Sequence, residues 1–252
     1  MKAIYSSLTD KGISRDHNED FFLNNEKYSL CMVADGMGGY QCGDIASKLA
    51  LESIINYIDN YTNKTPPFYD KVLINAIDYA NSNIQNFQKT HTEVKSMGTT
   101  FIGLTCSDQG AMAVHIGDSR LYQLRAGKIK KITKDHSAEQ DVLPDFMQNA
   151  NNGKYSSVLT RALGTDKKAL PDFTFFDFQI NDTLLLCSDG LYSMVNDDKL
   201  KEILNSSQTL SEKCRKLIAE ANNNGGEDNI TATLVKIISI ENNNIFELNQ
   251  EK

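Results

Sequence analysis

Residues 31–39 read CMVADGMGG, an apolar run that ends on Asp35 and is followed by glycine at 36, 38 and 39 with Met37 between them. A short unbroken run of this kind, in a chain rich in β-branched segments, predicts a buried strand. A carboxylate at the end of a buried strand is costly unless something compensates its charge. The glycines permit unusual backbone angles and let a main-chain carbonyl, that of Gly36, approach whatever sits beside Asp35.

The same placement recurs along the chain. Asp20 in RDHNEDFF, Asp118 in VHIGDSR, Asp189 in LLLCSDG and Asp228 in GGEDNIT all stand at or near the ends of apolar strands. Each alone reads as a turn former or helix cap. Together they share a cause, because carboxylates drawn into one place repel unless a cation lies among them. An all-oxygen ligand set of this type suits Mg²⁺ or Mn²⁺.

The 26 basic residues include five arginines, at 15, 120, 125, 161 and 215. Arg15, five residues before Asp20, has two readings. Its guanidinium fork could hold two phosphoryl oxygens beside metal ions, or it could form a surface ion pair with Asp16 or Glu19. Arg120 and Arg161 read as braces for carboxylates or for the loop.

Around these positions, strand patterns occur at AIYSSLT, YSLCMVA, TTFIGLTC, AMAVHIG, RLYQLR, KIKKIT, DTLLLCS and ITATLVKIISI. Helical spacing covers 43–61 and 71–87, then 196–204 and 210–221, with Asn196, Asp197 and Asp198 marking a helix start. Runs of strands broken by helix pairs predict an α+β layered sandwich of sheets with helices outside, not a regular βαβ alternation. GxGxxG and Walker loops are missing.

The chain has 252 residues, 40% of them hydrophobic, and 4 prolines, which predicts a single domain over 1–240. The polar tail 241–252 is either frayed or adds an edge strand near 245–248. A formal charge of −7 argues against nucleic acid or an anionic membrane surface as partner. Five cysteines without a CxxC pair exclude a zinc ribbon and a disulfide scaffold. No segment has the length of a membrane span and the first residues lack a signal-peptide core, so the expected location is cytoplasmic.

The ordered segments SRDHNED, VADGMGG, MGTT, HIGDSR, TKDHS, LTRALG, CSDGL and GEDNIT resemble the metal-dependent protein phosphatase family, the type 2C serine/threonine phosphatases, in its bacterial form. The likeness runs over about residues 3–238. It implies a four-layer α-β-β-α sandwich, two antiparallel β-sheets packed together and flanked by pairs of helices. It also implies a binuclear Mn²⁺ or Mg²⁺ centre in a cleft at one end.

By the same resemblance Asp35 bridges both ions, the Gly36 carbonyl binds one, and Asp189 and Asp228 bind the other. Glu19 and Asp20 hold metal-bound waters. Asp118 joins Asp189 at a third, weaker site, Arg15 binds the substrate phosphate, and Asn229 orients the site. The implied reaction is hydrolysis of phosphoserine and phosphothreonine in proteins by a metal-bridging hydroxide, opposing a serine/threonine kinase. The expected protein is a monomer. Cys187 and Ser188 are then strand and turn residues, not nucleophiles.

Met37 stands where eukaryotic relatives carry a histidine that looks like a general acid, which leaves the proton donor unassigned. His17 and His115 are weak candidates, and His136 reads as fixing the base of the loop. The irregular segment 138–157, with Asn149, Asn151, Asn152 and Gly153, corresponds to the family's flap and is short, which predicts an open cleft and tolerance of varied phosphopeptides. Two other functions stay open: a non-catalytic binder of phosphoproteins, disfavoured because Asp35, Asp189, Asp228 and Arg15 are all present, and a hydrolase of small phosphate monoesters.

Overall fold

The computed structural model describes residues 1–38, 42–61, 71–94, 96–108, 110–138, 158–165 and 167–240. The expectations for the tail, for the flap beyond Ala138 and for Gly39 lie outside these residues.

Among the described residues the strands form two antiparallel sheets. One has the order β1 (Lys2–Asp10), β11 (Ile230–Ser239), β10 (Thr183–Cys187), β7 (Arg120–Arg125), β8 (Lys128–Lys131). The other runs β2 (Asp20–Asn25), β3 (Leu30–Gly38), β5 (Phe101–Ser107), β6 (Gly110–Ile116), β9 (Asp172–Phe176), with β4 (Met97–Thr99) paired to β3. Helices α1 (Gly43–Asn60) and α2 (Lys71–Thr90) precede β4. Helices α3 (Asp189–Tyr192), α4 (Asp197–Asn205) and α5 (Leu210–Asn223) follow β10.

Side-chain alternation explains the layering. In β3, Leu30, Met32 and Ala34 pack with Ala46, Leu51, Ile54 and Ile77 of α1 and α2, while Cys31 and Val33 join the core between the sheets. In β10, Leu185 and Cys187 pack with the α4 and α5 side, and Leu184 and Leu186 face the other sheet. Both faces of these central strands are buried, so they read as unbroken apolar runs. The result is the expected α-β-β-α sandwich. Each fully buried leucine contributes roughly 1.5–3 kcal/mol, and this apolar mass offsets the cost of the polar end described below.

Helix starts follow the sequence. The Asn196 side chain accepts from Lys199 N, and Thr209 with Glu212 closes a capping box on α5.

Two readings change. β3 does not stop at Asp35: it pairs with β5 as far as Val33 and then with β4 from Gly36 to Gly38. Gly36 and Gly38 also lack positive φ. What Gly36 requires is space, since a Cβ there would lie 2.0 Å from the Gly43 carbonyl oxygen at the start of α1 and 2.6 Å from that of Glu19. The glycine brings strand and helix start together. β2 and β9 went unread in the sequence because DFFLNN and DFTFF are short and lack clean alternation.

Candidate metal centre

Alternation along β3 places Asp35 on the same face as Cys31 and Val33, at the position where the inter-sheet core gives way to a cleft. Asp20, opening β2, is the cross-strand partner of Asp35, so the two carboxylates share a face. From the other sheet, Ser188 and Thr231 continue the inter-sheet faces of β10 and β11. Both hydroxyls donate to Asp20 Oδ2, at 2.6 and 2.7 Å. The end of the sandwich is therefore polar on both sheets.

The MGTT segment fixes Asp35 through its backbone. Thr99 Oγ1 and Thr100 N donate to its carbonyl at 2.9 Å, and its own N–H donates to Thr100 Oγ1 at 3.0 Å. Thr100 Oγ1 in turn lies 2.8 Å from Ser119 Oγ, which ties the β3–β4 junction to the turn carrying Asp118. Gly117 in that turn has φ +100°, and a Cβ would meet Thr100 at 2.7 Å, so the turn needs glycine on both counts.

A cavity of about 310 Å³ opens here, lined by Glu19, Asp35, Asp118, Asp189 and Asp228, with Arg15, Gly36, Met37, Leu159 and Asn229 among its other walls. The structure thus brings Arg15, Glu19, Asp35, Gly36, Asp118, Asp189, Asp228 and Asn229 to one cavity and sets Asp20 behind it. Among the described residues, five carboxylates face one guanidinium there.

The acidity of these groups records their crowding. Burial, followed by the charges of Asp20 and Asp189, holds the Asp35 carboxyl well above the usual range. Burial raises Asp20 to about 7, with the Ser188 and Thr231 hydrogen bonds pulling the other way. Asp118 is pushed to about 7 by burial and by Asp189. Asp189 and Glu19 are also raised, burial first in each case and then Asp228 and Asp44 respectively. Oδ1 of Asp20 and Oδ1 of Asp189 are buried without a hydrogen-bond partner. Buried acceptors without donors cost about 1–3 kcal/mol each, more when charged, and an oxygen-seeking cation is the group that would satisfy them.

Arg15 lies at the mouth, its side chain 53% exposed. Its Nη2 donates to Asp228 Oδ2 at 2.8 Å and its Nε to the Glu227 carbonyl at 3.4 Å. Of the two readings of Arg15, the local surface pair with Asp16 or Glu19 gives way to this longer-range pair with Asp228. Asn229 holds the Arg15 loop: its Oδ1 accepts from Glu19 N, and its Nδ2 donates to the carbonyls of Lys11 and His17, all within 2.9 Å.

Arg120 and Arg161 stand away from the cavity walls. Arg120 is paired with Asp135, and Arg161 with Asp172. His115, His136 and Asp172 also come close enough to share an ion. There, however, His136 Nδ1 accepts from Gly117 N, His115 Nε2 faces the Lys134 carbonyl, and Arg161 lies against both His136 and Asp172. With a guanidinium inside it, this cluster is an ion-pair and hydrogen-bond network that fixes the loop base.

The sequence reading missed Ser188, Thr231 and Thr100 as supports of the carboxylates. The available signal was alternation: threonine at 231 and 233 interrupts the inter-sheet face of an otherwise apolar strand.

The sandwich thus ends in an acidic, oxygen-lined cleft with an arginine at its mouth, the kind of site that suits a divalent cation and an anionic ligand. Residues 12–235 match the family model described as protein phosphatase 2C. The chain belongs to that family, the type 2C serine/threonine phosphatases, in its bacterial form. It is 37% identical over 235 residues to the serine/threonine phosphatase stp of Listeria innocua, covering 90% of this chain and 93% of that one. The crystal structure of the Mycobacterium tuberculosis serine/threonine phosphatase PstP/Ppp superposes with a TM-score of 0.83 at 30% identity, covering 94% and 99% of the two chains. The catalytic domain of PstP in complex with 2 manganese ions gives 0.78 at 31% identity, over 94% and 99%.

Proposed function

We propose that this chain removes phosphate from phosphoserine and phosphothreonine in proteins, opposite a serine/threonine kinase, with Mn²⁺ or Mg²⁺ held in the acidic cavity. The observation that carries the metal reading is the pair of buried, unpartnered carboxylate oxygens on Asp20 and Asp189 within a group of like charges. Asp35, the Gly36 carbonyl, Asp189 and Asp228 would hold two core ions. Glu19 and Asp20 would engage water around them, and Asp118 with Asp189 would serve a third, weaker site. When bound, the ions supply Lewis acidity, making water more acidic and offsetting charge on the phosphoryl oxygens.

The chain's own residues have distinct tasks. Arg15, with its side chain 53% exposed, would take a phosphoryl oxygen in place of Asp228. Ser188 and Thr231 keep Asp20 fixed by donating both their hydrogens to one of its oxygens. Neither neighbouring nucleophile competes: burial pushes the Cys187 thiol up to about 12, and Ser188 Oγ is already committed to Asp20.

The test is release of phosphate from a phosphothreonine peptide by the full chain, with Mn²⁺ and with chelator. Turnover that depends on Mn²⁺ supports the proposal. Turnover unaffected by chelator contradicts it, and hydrolysis of small monoesters alone would move the substrate away from proteins.

A further inference from the structure

The one-turn helix α3 carries Asp189 at its start and Tyr192 at its end. One turn of helix has almost no stability of its own, so tertiary contacts must set its position. The Tyr192 hydroxyl supplies one, donating to the main-chain carbonyl of Asp118 at 3.1 Å. This contact joins the turn that enters β7 to the helix that leaves β10, two paired strands of one sheet, and their carboxylates, Asp118 and Asp189, line the same cavity.

The phenol is itself held. The guanidinium carbon of Arg120 lies 3.4 Å from the centroid of the Tyr192 ring, a cation–π stack strengthened by partial desolvation. Arg120 is in turn locked by Asp135, which accepts from its Nε at 3.1 and 3.2 Å and from its Nη2 at 2.7 Å. Lys131 reaches the same carboxylate at 3.3 Å. Planar, forked and immobilised, Arg120 forms a rigid shelf under the tyrosine.

We propose that Tyr192, braced by Arg120, is a positioning residue that sets the spacing of Asp118 and Asp189 and so tunes a weaker cation site between them. It touches neither substrate nor the reacting atoms. The inference rests on the cation reading of the cavity, and it concerns only the pair Asp118 and Asp189. Asp35 and Asp228 are fixed by other contacts.

The test is calorimetric titration of Mn²⁺ alone into the full chain, comparing wild type with Tyr192→Phe, Arg120→Lys and Asp118→Asn. Asp118→Asn is expected to remove the weakest binding event and thereby identify it. Tyr192→Phe keeps the ring and loses one hydrogen bond, and is expected to weaken that event about three- to tenfold while leaving the tighter events unchanged. Arg120→Lys keeps a cation for Asp135, loses the flat stack, and is expected to show the same selective weakening. An unaltered weak event in both variants, or equal weakening of every event, would overturn the role of Tyr192. A wild type that binds Mn²⁺ tightly yet shows no event sensitive to Asp118→Asn would overturn it as well, leaving the two-ion reading intact. A wild type that takes up no Mn²⁺ would overturn the cation reading itself.

Discussion

Asp20 and Asp35 are directly opposed cross-strand partners on β2 and β3, a pairing of like charges that a sheet ordinarily avoids. Both are pushed toward the protonated form, burial being the first cause in each. The fold holds them together through contacts that do not cancel their charge: threonine donors on the Asp35 backbone and two hydroxyls on one Asp20 oxygen. This repulsion is a cost that the proposed cation would offset.

Neutralising one member should therefore separate activity from stability. Asp35→Asn is expected to lower phosphate release by at least about a thousandfold, since it removes charge where the ions would sit. It is also expected to raise the thermal midpoint of chelator-treated protein, because it relieves repulsion among buried carboxylates. A fall in that midpoint would mean that Asp35 is neutralised by some route other than a bound cation.

The pH dependence of the metal-free protein follows from Asp118. Its folded-state value of about 7 exceeds the ordinary 3.8, so between those values the folded chain keeps a proton that the unfolded chain releases. The penalty from this group is nil below about pH 4 and grows as pH rises to 7, at about 1.4 kcal/mol per pH unit. Chelator-treated Asp118→Asn should match wild type near pH 4 and exceed it by a few kcal/mol at pH 8, as read by urea unfolding. Equal stability at both pH values would contradict this.

Removing the hydroxyls that serve Asp20 should loosen the site. Ser188→Ala and Thr231→Val each delete one donor to a buried carboxylate, with an expected loss of about 1–3 kcal/mol in folding stability. Weaker Mn²⁺ binding in the same titration should accompany it. Full retention of both properties would show that Asp20 needs neither donor.

Gly36→Ala tests the contact between β3 and α1. The added Cβ would meet the Gly43 carbonyl oxygen at 2.0 Å, a backbone atom that cannot rotate away. Strand and helix start must separate, at an expected cost of about 2–4 kcal/mol and with large loss of Mn²⁺-dependent activity. Wild-type thermal stability in this variant would contradict the packing described.

Arg15→Ala should show the opposite balance. Its side chain and that of Asp228 are 53% and 34% exposed, so the ion pair adds at most about 1 kcal/mol. Thermal stability should stay within a degree or two, while kcat/KM for a phosphopeptide falls roughly tenfold to a hundredfold. Unchanged kinetics would remove Arg15 from phosphate binding.

Much of this architecture was legible in the residues. The apolar runs of β3, β10 and β11 and the helical spacing of α1, α2, α4 and α5 reflect burial on two faces or one, which periodicity encodes. The aspartates were visible because each interrupts an apolar run at its end. Other features depend on distant partners and leave little local trace. Gly36 looked like a residue chosen for unusual backbone angles and for the approach of its carbonyl, yet its lack of a side chain makes room for the backbone of residue 43. Arg15 offered phosphate binding or a local pair with Asp16 or Glu19, and no local signal pointed to Asp228, which the chain returns to its side over 213 positions. Ser188 looked like a turn residue because its acceptor, Asp20, comes from the far sheet.

The most direct measurement is anomalous diffraction at the manganese edge from crystals of the full chain grown with Mn²⁺. The account predicts peaks within ligand distance, about 2.0–2.3 Å, of carboxylate oxygens of Asp35, Asp189 and Asp228. A cleft without anomalous density at saturating Mn²⁺, with those oxygens turned away from one another, would contradict it.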